Sequence, residues 1–118
     1  MIIHGFNSFG RVQWALDMKT KLLNVDTRSN VFIVDWSEGS MTGFDYQAAV
    51  YNLETYVVQV YEIIASLIKQ EHILESNDKL LNLHCIGHSL GSHFCGFFSK
   101  IIQSQLNLKL KRITGLGK

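Results

Sequence analysis

Apolar and polar positions along this chain fall into blocks that switch between the period of a strand and the period of a helix. Ile2-Ile3 begins as a strand and runs straight into His4-Gly5-Phe6-Asn7. Over residues 11–25, Trp14, Met18 and Leu22 recur on one face, which predicts a helix. Val31-Phe32-Ile33-Val34-Asp35-Trp36 is β-branched and aromatic and predicts a buried strand. Residues 37–44 contain two glycines and read as a loop. Asp45 is a good N-cap, and Val50, Leu53, Val57, Val60, Ile64 and Leu67 follow it at helical spacing. That pattern predicts a long helix ending near Gln70. Glu75-Ser76-Asn77-Asp78-Lys79 is a polar turn, and an apolar run over 80–86 predicts the next strand. Leu90, Phe94, Phe97 or Phe98, and Ile101 mark a helix over 90–105, and a last strand is expected around 110–114.

Strand and helix therefore alternate, which predicts an α/β fold with about four parallel strands joined by right-handed crossover helices. The first apparent strand begins at the first residue, and Gly115-Leu116-Gly117-Lys118 follows the last with no closing helix. The expectation is a fragment of a larger domain, or a truncated gene product.

Composition narrows the picture only a little. The 118 residues are 47% hydrophobic, which suits one packed domain or a piece of one. A net charge of +1 gives no argument for nucleic acid as a partner. The charge is unevenly placed, because every Asp and Glu lies between Asp17 and Asp78. Beyond Ser89 come only Lys100, Lys109, Lys111, Arg112 and Lys118. This reads as a solvated basic face on the last helix and strand, with a site for an anionic surface or partner as the sharper alternative. No run of 18 apolar residues is present, so no transmembrane segment is expected, and the first residues lack the pattern of a signal peptide. Cys85 and Cys95 lie on either side of the most informative motif. They read as buried small apolar residues in preference to a redox pair or metal ligands, and neither a metal nor a cofactor is expected.

That motif is Gly87-His88-Ser89-Leu90-Gly91, a G-x-S-x-G pentapeptide between a predicted strand and a predicted helix. In that setting it predicts a nucleophile elbow, a strained turn that lifts a serine hydroxyl above a parallel sheet. Gly87 and Gly91 leave room for the helix to close on the strand. The Leu90 N–H then begins a helix and points at the substrate, where it acts as one half of an oxyanion hole.

With these residues in place, the chain resembles the animal pancreatic-lipase family of triacylglycerol lipases and phospholipases A1, which are secreted α/β-hydrolases. The matching pieces occur in order: Ile3-His4-Gly5-Phe6, Val34-Asp35-Trp36, Thr42-Gly43-Phe44, Ile86-Gly87-His88-Ser89-Leu90-Gly91-Ser92-His93 and Arg112-Ile113-Thr114-Gly115-Leu116. The resemblance implies that residues 1–118 are a partial lipase (α/β-hydrolase) domain. It implies Ser89 as nucleophile and the backbone N–H groups of Leu90 and Phe6 as oxyanion donors. It further implies a lipid substrate at a lipid–water interface and an extracellular location. A non-lipase esterase with the same elbow is the weaker alternative, since the His-Gly-Phe and Val-Asp-Trp pieces point away from it.

The resemblance also exposes a departure. In the family, the segment matching Gly115-Leu116 continues into the catalytic Asp, and here that position is Gly117. The family's catalytic His lies further on. No acidic residue follows Ser89, and the one later histidine, His93, sits in the elbow helix, badly placed to reach its hydroxyl. His88 is adjacent to Ser89 and should point away from it. A structural role is the favoured reading for all five histidines, with His72 and His84 at loop and strand-surface positions and lining the site as the sharper alternative for His4. Asp35, at the carboxyl edge of its strand, reads as a loop-fixing hydrogen-bond acceptor, with a substitute triad acid as the sharper alternative. The chain alone is expected to be almost inactive. A non-catalytic module that binds lipid or protein is the alternative function.

Overall fold

The computed structural model describes residues 1–70 and 79–117. The elements follow in chain order as β1 (Ile2–Ile3), α1 (Gln13–Val25), β2 (Ile33–Val34), α2 (Ser37–Ser40), α3 (Tyr46–Lys69), β3 (Leu80–His88), α4 (Leu90–Leu106) and β4 (Lys109–Leu116). The strands form one parallel sheet in the order β2-β1-β3-β4. This confirms the predicted α/β architecture with helices crossing between parallel strands. From β1 the chain steps outward to β2, then returns across β1 to β3 and on to β4. The direction of winding therefore reverses between β1 and β3.

Side-chain alternation gives the sheet two faces. Ile3, Leu81, Leu83 and Cys85 join the main core with Leu53, Val57 and Ile64 of α3 and Phe94, Phe98 and Ile102 of α4. Ile2 and Ile86 are paired in register, are buried, and project from the opposite face. There α1 contributes its buried Ala15, and its Trp14 packs on His88.

Several boundaries differ from those expected. The 37–44 segment is not all loop, because α2 occupies its first half. β2 pairs over only two residues of the predicted 31–36 run. α1 begins at Gln13, after an extended Val12. On α3, Asp45 caps as predicted, its carboxylate accepting the Ala48 N–H at 3.0 Å. Val50 is exposed because it lies one position, a rotation of about 100°, from the stripe set by Ala49, Leu53 and Val57. On α4 the buried stripe runs Phe94, Phe98 and Ile102, while Phe97 faces solvent. The predicted turn over 75–79 lies outside the described residues except for Lys79, as does His72.

The cysteine reading is corrected. Cys85 and Cys95 are fully buried, as expected, but they are joined in a disulfide. The elbow folds α4 back along β3, so a strand residue and a residue in the second turn of the helix meet with Cα atoms 5.8 Å apart. That separation lies within the range a disulfide bridges.

Candidate active site

Ser89 joins the end of β3 to the start of α4 with φ 55° and ψ −119°. A non-glycine residue adopts such a conformation only when its surroundings enforce it. The Ser89 N–H donates to the Leu116 carbonyl at 2.8 Å, and the Ser89 carbonyl accepts the Ser92 N–H at 2.9 Å. The Ser92 hydroxyl donates to the Gly87 carbonyl at 2.9 Å, closing the turn from the other side.

Close backbone packing requires the flanking glycines. A Cβ on Gly87 would overlap the Gly91 carbonyl and stand 2.5 Å from the Ser92 nitrogen. A Cβ on Gly91 would overlap the Ile3 carbonyl and stand 2.8 Å from the His4 carbonyl oxygen. Gly5 completes the set, since a Cβ there would lie 2.7 Å from the His88 carbonyl oxygen, 3.2 Å from Ser89 Cβ and 3.5 Å from the Leu90 nitrogen. The loop after β1 therefore lies directly against the elbow after β3. The two meet where the sheet reverses its winding, at the carboxyl ends of the strands, which is where open α/β sheets bind ligands.

This contact brings three of the sequence-predicted residues into one place: Ser89, the Leu90 N–H at the first position of α4, and Phe6 immediately after Gly5. Among the described residues neither the Phe6 nor the Leu90 N–H donates to a protein acceptor. The half-buried Phe6 ring is fixed by an edge contact with Tyr46, centroids 5.1 Å apart.

The histidines are placed differently. His4 is fully buried and stacks on Trp36 with centroids 5.7 Å apart. Its Nε2 accepts the Trp36 backbone N–H at 3.0 Å, and its Nδ1 lies 3.1 Å from the Gly5 carbonyl. The network assigns the neutral tautomer with the proton on Nδ1. The Trp36 indole N–H donates back to the His4 carbonyl at 2.9 Å. Burial holds the His4 pKa below the usual histidine range, against opposing contributions from the Gly5 carbonyl and Asp35. With both ring nitrogens engaged, His4 is a positioning residue that ties the β1 loop to Trp36, the structural role favoured for it over lining the site.

Asp35 Oδ1 accepts the Ser37 N–H at 3.0 Å and lies 3.4 Å from His4 Nε2. Partial burial raises its pKa, but hydrogen bonds from Ser37 and Gly10 outweigh that and hold the carboxyl low. It fixes the loop entering α2, as the simpler reading expected. His88 packs on Trp14 with centroids 5.3 Å apart, and a Cβ on Gly117 would lie 3.2 Å from its Nε2. His93 is exposed on α4. His84 is not a plain surface position, since its Nε2 lies 2.8 Å from the Thr114 hydroxyl on β4.

One positioning residue had gone unread. Asn7 has φ 51°, donates from Nδ2 to the Gly43 carbonyl at 2.8 Å, and accepts the Thr42 N–H at 3.1 Å. Its own N–H donates to the Ser40 carbonyl at 3.0 Å. It staples the Phe6 loop to the segment after α2. The signal was Asn's tolerance of the left-handed region, next to the His-Gly-Phe turn.

Among the described residues no group of three or more His, Cys, Asp or Glu side chains is arranged to hold a metal ion. Among them, no helix is long and apolar enough to cross a membrane.

A model of the family described as Lipase matches residues 1–118. The chain belongs to the Lipase family. It is 36% identical over 115 residues to pancreatic lipase-related protein 2 of Mus musculus, a match covering 98% of this chain and 21% of that protein. It is also 36% identical over 115 residues to pancreatic triacylglycerol lipase of Ictidomys tridecemlineatus, covering 98% of the chain and 22% of the relative. Human inactive pancreatic lipase-related protein 1 is 35% identical over 115 residues, with 98% and 22% covered. This Lipase-family chain thus spans about a fifth of the length of these relatives. Proteins named as lipases and one named as inactive match it equally well, so similarity over these residues does not separate the two.

Proposed function

We propose that this Lipase-family chain carries the nucleophile and oxyanion hole of a carboxylic ester hydrolase acting on glycerolipid esters, triacylglycerol or phospholipid, within a larger α/β-hydrolase domain. The observation that carries the reading is the strained Ser89 turn, packed against the Gly5-Phe6 loop with the Leu90 and Phe6 amides both open. The Ser89 hydroxyl attacks the ester carbonyl and passes its proton to a base. The developing oxyanion accepts the Leu90 and Phe6 N–H groups, which are preorganised for it. The alcohol leaves with the proton, an acyl-serine remains, and water releases the fatty acid. Gly87 and Gly91 support the turn. The base and the acid of the triad are not assigned to any residue among these 118, and without them serine is a poor nucleophile at neutral pH. The substrate is met at a lipid–water interface. The buried Cys85–Cys95 disulfide supports an extracellular location, because such bonds persist in oxidising compartments.

The test is expression of the full open reading frame, assayed on emulsified triacylglycerol, phospholipid vesicles and short soluble esters. Hydrolysis of a glycerolipid that Ser89→Ala reduces by about a thousandfold or more is the expected result. Hydrolysis that survives Ser89→Ala overturns the assignment. A second reading, a non-catalytic lipid- or protein-binding module, is favoured by Gly117 at the position where the resemblance puts the acid. A full-length protein that binds vesicles yet neither hydrolyses ester nor labels with a fluorophosphonate would establish it.

A further inference from the structure

We propose that the Cys85–Cys95 disulfide is a brace that holds the Ser89 turn in its strained conformation, and so positions the nucleophile. The bond closes a ring that contains the whole elbow, with Cys85 on β3 and Cys95 on α4. Ser89 sits inside that ring at φ 55°. A strained turn between a strand and a helix relaxes most simply by letting the helix swing away from the strand. Two features resist the swing at the near end of α4: the Ser92 hydrogen bonds and the fit of Gly91 against the Ile3 and His4 carbonyls. The disulfide acts further along the helix and on the core face, where Cys85 and Cys95 are both fully buried. It therefore has the longer lever arm. Swinging α4 outward would also lift Gly91 from β1 and separate Leu90 from the Gly5 loop, so one covalent link guards the serine and both open amides together.

The proposal deepens the reading of Ser89 as a nucleophile, but its test needs no turnover. Native-state amide hydrogen exchange is measured at Leu90, Gly91 and Ser92 and compared with amides in the middle of α3. The variants are Cys85→Ala/Cys95→Ala and, as a control, Leu110→Ala in the core face of β4, compared at equal distance from their own urea midpoints. A brace predicts elbow amides exchanging at least about tenfold faster in the cysteine variant than in the control, with α3 amides alike in both. Equal elbow rates in the two variants would overturn it, because the disulfide would then act only on global stability. If the cysteine variant does not fold, the same amides are read in the folded wild-type chain after reduction by a phosphine, with the same criterion. Elbow protection that depends on the disulfide, in a full-length protein that takes no fluorophosphonate, would count against the nucleophile and leave the brace standing.

Discussion

Ser89 holds a conformation that glycine accepts more readily than serine. Strain of this kind costs on the order of 1–3 kcal/mol and persists where function requires it. Ser89→Gly should therefore raise stability by about 1 kcal/mol, read as an upward shift of the urea midpoint, while abolishing any fluorophosphonate labelling of the full-length protein. An unchanged or lower midpoint would mean that the turn is not strained. The pentapeptide was legible because its spacing and the strand and helix beside it are local, although Gly91 also answers to the distant Ile3 and His4 carbonyls and Ser89 to Leu116. His4 was not. A histidine next to a catalytic loop can face either the site or the core, and the choice here rests on the Trp36 backbone N–H, 32 residues on. Asn7 went unread for a similar reason, since its partners Ser40, Thr42 and Gly43 belong to a distant segment.

At the scale of elements, periodicity located α1, α3 and α4 because burying one stripe is the main source of helix stability in a folded chain. The cap on α3 was legible for the same local reason, and Asp45→Ala should destabilise the chain by about 1 kcal/mol. Urea denaturation checks this, and a midpoint within error of wild type would deny the cap any role. Short elements were harder to read. β1 and β2 pair over two residues each, and their ends are set by the neighbouring strand more than by their own composition. α2 is one turn in a segment with two glycines, and it is held from outside by the Asn52 amide, which donates to the Gly39 carbonyl at 3.0 Å. The disulfide is also a property of two elements taken together. Ten positions of sequence separation say nothing about whether a strand face and a helix face will meet.

For the whole molecule, one buried and one half-buried histidine tie stability to pH. Burial lowers the pKa of His4, and burial aided by Arg112 lowers that of His84. Both bind a proton more readily when unfolded, where histidine titrates near about pH 6.5. Their contribution is therefore complete above that value and is lost as the pH falls towards their folded pKa values. The urea midpoint should decline between pH 7.5 and 5.5, and the His4 ring should take up its proton, read by NMR, at a lower pH than an exposed histidine. A midpoint that is flat or rises on acidification over that interval would contradict the burial of these rings. Asp35, whose pKa is also lowered, acts only at more acid pH, in the carboxylate range. What the sequence determined by itself was local: the alternation of strands and helices, the elbow, the glycines that permit it, and a combination of motifs that carries the family. Each piece is read from residues close together in the chain, and the family from the order in which the pieces occur. Only the tertiary structure decided the strand order β2-β1-β3-β4, the meeting of the Gly5-Phe6 loop with Ser89 at the reversal between β1 and β3, the burial of His4 and the Cys85–Cys95 bond. These depend on contacts between distant segments, and those contacts are set when the sheet assembles and its two faces are covered.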